Sequence, residues 1–120
     1  MELNEYQKLA MKTAIYKNIG HNLTYPVLGL AGEAGEVCNK YKKLDRDDNG
    51  IMTEDRRVKL LHELGGVLWY LAACAEELNS TLERVAIMNL EELAMRQRAN
   101  NLKGDGDTRG ADALSSKDSE

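Results

Sequence analysis

Four stretches of the chain place apolar residues three and four positions apart, the spacing that turns one face of a helix toward a core. The spacing predicts helices over roughly residues 2–17, 26–44, 54–78 and 81–98. Pro26 suits the first turn of the second helix, and Ser80 with Glu83 forms a capping box before the fourth. Residues 67–75 are apolar nearly all round, so we expect the third helix to be central and the most buried.

Composition supports an all-α fold. Phe is absent, aromatic residues make up 5% of the chain, and there is one proline, which disfavours a β-sandwich or barrel. A chain of 120 residues has room for one core. We predict an antiparallel four-helix bundle over residues 1–103. Residues 104–120, rich in Gly, Asp and Ser, are expected to form a tail that is at least partly disordered.

Charge and cysteine usage narrow the function classes. The net charge of −4, from 16 basic and 20 acidic residues, gives no basic surface for a nucleic acid polymer. Cys38 and Cys74 lie in helical patterns without zinc-site spacing, so we expect small, buried, reduced thiols. The N-terminus is charged from its second residue, and no apolar run looks long enough to span a bilayer. These features predict a cytoplasmic protein without a membrane partner.

Two glutamates on the second helix form the first candidate site. Glu33 and Glu36 lie three apart at the edge of the apolar stripe, so their side chains are neighbours and repel each other. Either a divalent cation or Lys40, one turn after Glu36, can compensate this repulsion. For an isolated pair of this kind, the lysine is the better explanation.

Glu63 on the third helix favours the divalent cation over the lysine as the compensating charge. It borders the most apolar helix, where a charge needs a partner or a cation. If the second and third helices pack antiparallel with these flanks facing, Glu33, Glu36 and Glu63 come together. Mg²⁺ prefers hard oxygen ligands of this type, so the three carboxylates form a candidate magnesium site.

Several segments together resemble the MazG-like all-α nucleoside triphosphate pyrophosphohydrolases. They are GLAGEAGEVCNKYKK at 29–43, HELGGVLWYLA at 62–72, NLEELAMRQ at 89–97 and KGDGDTR at 103–109. The resemblance covers about residues 4–110. It implies a homodimer or homotetramer that uses Mg²⁺, with Mn²⁺ as a substitute. The reaction would cleave a nucleoside or deoxynucleoside triphosphate between its α and β phosphates, releasing the monophosphate and pyrophosphate.

Residue by residue, the resemblance implies that Glu33, Glu36 and Glu63 hold the metal and that Glu33 or Glu36 activates the attacking water. Gly32 stands where the family often has a first glutamate. Gly66 stands where the family has an aspartate ligand, so one carboxylate of the pattern is missing. A glycine inside a helix also costs about 1 kcal/mol relative to alanine.

The same resemblance places Tyr70 against the base or sugar, and Asn89 and Arg96 toward the nucleotide. Each has a plainer alternative, a core tyrosine for Tyr70 and a core or interface asparagine for Asn89. Lys40 is a candidate for a phosphate contact, with a solvated lysine as the alternative. Lys103 and Arg109 could close over the phosphates, with a disordered tail as the alternative. The full set of candidate substrate-binding residues is Lys40, Tyr70, Asn89, Arg96, Lys103 and Arg109.

The sequence therefore predicts a Mg²⁺-dependent nucleotide pyrophosphohydrolase. The alternative is a nucleotide-binding or scaffolding relative with impaired catalysis, because Gly66 replaces the expected ligand. Glu92, where the family often has a lysine, either supplies the missing charge or is a solvated surface residue. A carboxylate-bridged di-iron bundle is disfavoured, because neither acidic helix carries a Glu-x-x-His motif.

Overall fold

The computed structural model describes residues 1–100 and places them in four helices, without a strand among those residues. They are α1 (Leu3–Met11), α2 (Thr24–Asp47), α3 (Glu54–Glu77) and α4 (Leu82–Arg98). The all-α class is confirmed. The chain divides into two compact units, Met1–Leu82 and a second that begins at Glu83. Lys103 and the predicted tail, which includes Arg109, lie outside the described residues.

Helices α2 and α3 form an antiparallel hairpin that dominates the first unit. A short polar connection joins them, and α2 continues to Asp47, beyond the predicted end at residue 44. Arg56 fastens the turn, because its Nε donates to Asp48 at 2.6 Å. The Thr53 hydroxyl caps α3 by accepting from the backbone N–H of Arg56 at 3.2 Å. Local chemistry of this kind explains why α3 starts where the sequence predicts.

The C-terminal end predicted for α1 was wrong, because the helix ends at Met11 instead of near residue 17. The Thr13 hydroxyl donates to the Ala10 carbonyl at 2.7 Å, which offers that carbonyl a partner outside the helix. Asn18 and Gly20 then adopt positive φ angles of 56° and 91°. The chain between α1 and α2 is therefore an irregular connection.

A small core joins α1 to α3. Ala10, Ala72, Ala75 and Leu82 are buried there. Gln7 is buried beside them and uses its whole amide: Nε2 donates to Glu76 Oε2 at 2.8 Å and to the Ser80 carbonyl at 3.1 Å. Its Oε1 accepts from the Leu82 N–H at 2.7 Å. A buried polar side chain is tolerated here because each of its groups has a partner.

Helix α3 is central, as predicted, because it contacts both α1 and α2 and its apolar segment contains the buried Ala72, Ala73 and Ala75. Other apolar residues of α3 are exposed: Leu61 and Leu64 are each 51% exposed and Leu71 is 38% exposed. Cys38 is also exposed, against the prediction, although both thiols are free as expected. A single chain thus leaves apolar surface on this helix open to a partner.

Among the described residues, α3 is the helix whose length and composition would allow it to cross a membrane. The core helix of a soluble protein has the same length and composition. That the protein has no membrane partner stays a prediction.

Candidate functional site

Two of the acidic residues predicted to form a site, Glu33 and Glu63, lie on the facing sides of α2 and α3, whereas Glu36 is exposed. Gly66 on α3 lies directly against Glu33 on α2: a Cβ atom at residue 66 would be 2.6 Å from Glu33 Oε2. One turn further along the antiparallel pair, Glu36 lies level with Glu63. The predicted packing, with the two glutamate-bearing flanks facing each other, is thus found within the first unit.

Two of the three carboxylates, Glu63 and Glu36, have a polar partner in this arrangement. Lys40 Nζ lies 3.8 Å from Glu63 Oε1, with both side chains partly exposed. Asn39 Nδ2 donates to Glu36 Oε1 at 3.4 Å. Lys40, a candidate phosphate ligand, therefore pairs with Glu63 across the two helices. This is the compensation that the sequence left open as an alternative to a cation, although with a different glutamate.

No group of three or more His, Cys, Asp or Glu side chains within residues 1–100 is arranged to hold a metal ion. The chemistry of the donor set nevertheless suits Mg²⁺, since Glu33, Glu36 and Glu63 all offer hard carboxylate oxygens. The glutamate side chain has three rotatable bonds, so these carboxylates can turn. Their positions on α2 and α3 would allow them to share a cation only after such rotation.

We call the surface formed by Glu33, Glu36 and Glu63 the acidic face. Tyr70 lies at its edge, one turn beyond Gly66. Its ring lies on Gly29 of α2, where a Cβ atom would overlap the ring carbons. A hydrogen bond with Tyr25, burial and the negative charges of Tyr25 and Glu33 raise the pKa of the Tyr70 phenol above its ordinary value. Tyr70 is half-buried, so it belongs both to the packing of α2 on α3 and to the edge of the acidic face.

Four of the six aromatic residues form one cluster beside the acidic face, which we call the aromatic cluster: Tyr16, Tyr25, Trp69 and Tyr70. Tyr25 stacks on Tyr16 with ring centroids 4.9 Å apart, and Trp69 meets Tyr70 edge-on at 5.0 Å. Sequence reasoning missed Tyr25.

Glu77, at the C-terminal end of α3, holds the connection between α1 and α2 and was not anticipated. Its carboxylate accepts from the Tyr16 hydroxyl at 2.7 Å and from the N–H groups of Gly20 and Asn22 at 2.9 and 3.2 Å. The Tyr16 hydrogen bond is the largest cause that lowers the pKa of Glu77. Burial and the same carboxylate raise the pKa of Tyr16. Glu77 thereby holds Tyr16 in place. Tyr16 stacks on Tyr25, and the ring of Tyr25 lies next to that of Tyr70.

We predict that Glu77→Gln destabilises the protein in a pH-dependent way. Because the folded-state pKa is lowered, ionised Glu77 stabilises the fold above the pKa of an unfolded glutamate, about 4.3. That stabilisation is lost as the pH falls through the folded-state pKa. The unfolding temperature should be below that of the wild type at pH 7, and the difference should shrink toward pH 3. The exposed Glu5→Gln is the control, and a difference that is constant with pH would contradict the prediction.

Helix α4, in the second unit, carries the remaining candidates. Asn89 is exposed, so the alternative of a core asparagine is wrong for the described chain. Arg96 forms an ion pair with Glu92 one turn earlier, and its side chain is only 15% exposed. Its Nε is buried without a hydrogen-bond partner among the described residues. Glu92 is therefore the partner of Arg96, and its own side chain is 40% exposed.

These observations define the class of protein: an all-α protein in which a long helical hairpin carries an acidic face next to an aromatic cluster. No protein-family model matches the chain, and no solved structure matches it. The Gene 37 protein of Mycobacterium phage L5 is 41% identical over 114 residues, covering 91% of this chain and 100% of the relative. The chain belongs to the same family as that phage protein, whose name states no activity.

Proposed function

We propose that the protein is a Mg²⁺-dependent nucleotide pyrophosphohydrolase, converting a (deoxy)nucleoside triphosphate into the monophosphate and pyrophosphate. The observation that carries this proposal is the antiparallel register of α2 and α3, which sets Glu33 and Glu36 opposite the segment from Glu63 to Gly66. The MazG-like resemblance supplies the reaction type. The acidic face supplies oxygen donors on two facing helices, which is what such a reaction requires of the protein.

A divalent cation would relieve the electrostatic repulsion between Glu33 and Glu36. Glu33 and Glu36 are like charges three apart on one helix, and such neighbours destabilise a helix by about 0.2–0.5 kcal/mol. Glu63 is balanced by Lys40 over 3.8 Å, a pair that a doubly charged ion would outcompete. When bound, Mg²⁺ supplies charge neutralisation for the phosphates.

The chain's own residues then have distinct roles in this proposal. Glu33 or Glu36, whichever does not fully engage the ion, accepts a proton from the attacking water and orients it. Lys40, released from Glu63, becomes available to a phosphate oxygen. Tyr70 and Tyr25, at one edge of the acidic face, provide ring surface and hydroxyls for the base or sugar. Arg96 and Asn89 on α4, and Lys103 and Arg109, remain candidates from the resemblance.

Self-association belongs to the same proposal. Apolar side chains of α3 stay exposed in one chain, above all Leu61 and Leu64. Exposed leucines on a helix this apolar favour a covering partner, and the resemblance points to a second copy of the chain. We therefore propose a cytoplasmic homo-oligomer.

The test is a pyrophosphate-release assay on the wild-type chain with a panel of canonical and damaged NTPs and dNTPs. We expect Mg²⁺- or Mn²⁺-dependent release of pyrophosphate for at least one nucleotide, abolished by EDTA. Orthophosphate as the product, or release that EDTA does not affect, would contradict the proposal. Nucleotide binding without turnover would instead favour the nucleotide-binding or scaffolding role.

A further inference from the structure

The two adjacent glycines of α3 have different surroundings. A Cβ atom at Gly66 would lie 2.6, 3.0 and 3.4 Å from Oε2, Cδ and Cγ of Glu33. A Cβ atom at Gly65 would have nothing within 4 Å. Only residue 66 therefore needs to lack a side chain for the observed packing. Its neighbour provides the natural comparison, since both are glycines inside the same helix.

The contact between Gly66 and Glu33 has a counterpart one turn away. Gly29 precedes Glu33 by one turn of α2, and Tyr70 follows Gly66 by one turn of α3. The Tyr70 ring occupies the space beside Gly29, as the Glu33 carboxylate occupies the space beside Gly66. At each of these glycines one helix contacts a side chain of the other helix: Glu33 lies at Gly66, and Tyr70 lies at Gly29. The two glycines bring Glu33 and Tyr70 side by side between α2 and α3.

We propose that Gly66 is a positioning residue for Glu33: the space left by its missing side chain holds the Glu33 carboxylate against α3, on the side where Glu63 lies. This inference rests on the proposed function in one respect, that Glu33 is a metal ligand. It gives a structural reason for the glycine that stands where the resemblance implies an aspartate ligand. Residue 66 contributes to the site through the room it leaves for a carboxylate from α2, and the site is built on three glutamates.

Gly66→Ala and Gly65→Ala are the matched pair for the test. Gly65→Ala adds a methyl group in open space and should raise the unfolding temperature of the metal-free chain and leave its Mn²⁺ affinity unchanged. Gly66→Ala should raise the unfolding temperature less, because its Cβ atom displaces the Glu33 carboxylate, the end of a flexible side chain. It should also weaken Mn²⁺ binding, measured by electron paramagnetic resonance, about 10-fold.

Repeating both substitutions in a Glu33→Ala background isolates the contact. With the Glu33 side chain removed, Gly66→Ala should behave like Gly65→Ala in both unfolding temperature and Mn²⁺ affinity. Equal effects of the two alanines in the wild-type background, or an unchanged difference without Glu33, would overturn the proposal. Absence of Mn²⁺ binding by the wild type would contradict the proposed function, while the unfolding temperatures would still decide the role of Gly66.

Discussion

Glu63→Gln is expected to reduce pyrophosphate release about a hundredfold or more. The substitution keeps the size of the side chain and one oxygen, but it removes the negative charge that would hold the cation from the α3 side. Losing one preorganised electrostatic contact in an active site typically costs a factor of about 10²–10³ in turnover. The measurement is the initial rate at saturating nucleotide and Mg²⁺, compared with the wild type.

A measurement of stability distinguishes a loss of catalysis from a loss of folding. Glu63 pairs with Lys40 over 3.8 Å, and both side chains are partly exposed. A pair of this kind contributes at most about 1 kcal/mol, so the urea midpoint of Glu63→Gln should stay near that of the wild type. Glu5→Gln, an exposed change on α1, should leave both rate and stability unchanged. Wild-type turnover by Glu63→Gln would remove Glu63 from the site.

Gly29→Ala is expected to be the most destabilising of the glycine substitutions on α2. Its Cβ atom would overlap the Tyr70 ring, and a tyrosine ring packed between two helices cannot move aside as the end of a flexible chain can. Overpacking of this kind costs about 1–3 kcal/mol. We expect the free energy of unfolding, from urea denaturation, to fall by about 2 kcal/mol.

The same helix supplies the controls. Gly32 and Gly35 are exposed, and a Cβ atom at either would have nothing within 4 Å. Alanine there should stabilise α2 by up to about 1 kcal/mol through helix propensity alone. The three substitutions therefore differ in sign although they make the same chemical change. Stabilisation by Gly29→Ala comparable to Gly32→Ala would show that the Tyr70 ring does not lie on residue 29.

The helices could be predicted from sequence wherever local chemistry sets their limits. Thr53 caps α3 through its own hydroxyl, and Pro26 lies in the first turn of α2, as expected. The antiparallel pairing of α2 with α3 also followed from their short connection. The facing positions of Glu33 and Glu63 followed from helical periodicity, because both glutamates lie on the flank of an apolar stripe.

What could not be predicted depends on contacts between residues far apart in the chain. The early end of α1 goes with an irregular segment that Glu77 binds, more than fifty residues away. The role of Gly66 depends on its contact with Glu33, a side chain of α2. The sequence around residue 66 shows only that the expected aspartate is absent. The exposure of Leu64 on α3 could not be predicted either, because periodicity does not show which apolar residues a single chain leaves exposed.

The most direct measurement is a crystal structure of the wild-type chain with Mn²⁺ and a non-hydrolysable nucleoside triphosphate analogue. An anomalous difference map locates the ion independently of any assumption about its ligands. We predict a peak between α2 and α3, about 2.2 Å from carboxylate oxygens of Glu33, Glu36 and Glu63, with the phosphates on the same ion. A nucleotide bound elsewhere, with Lys40 still paired to Glu63 and no peak at these glutamates, would contradict the account.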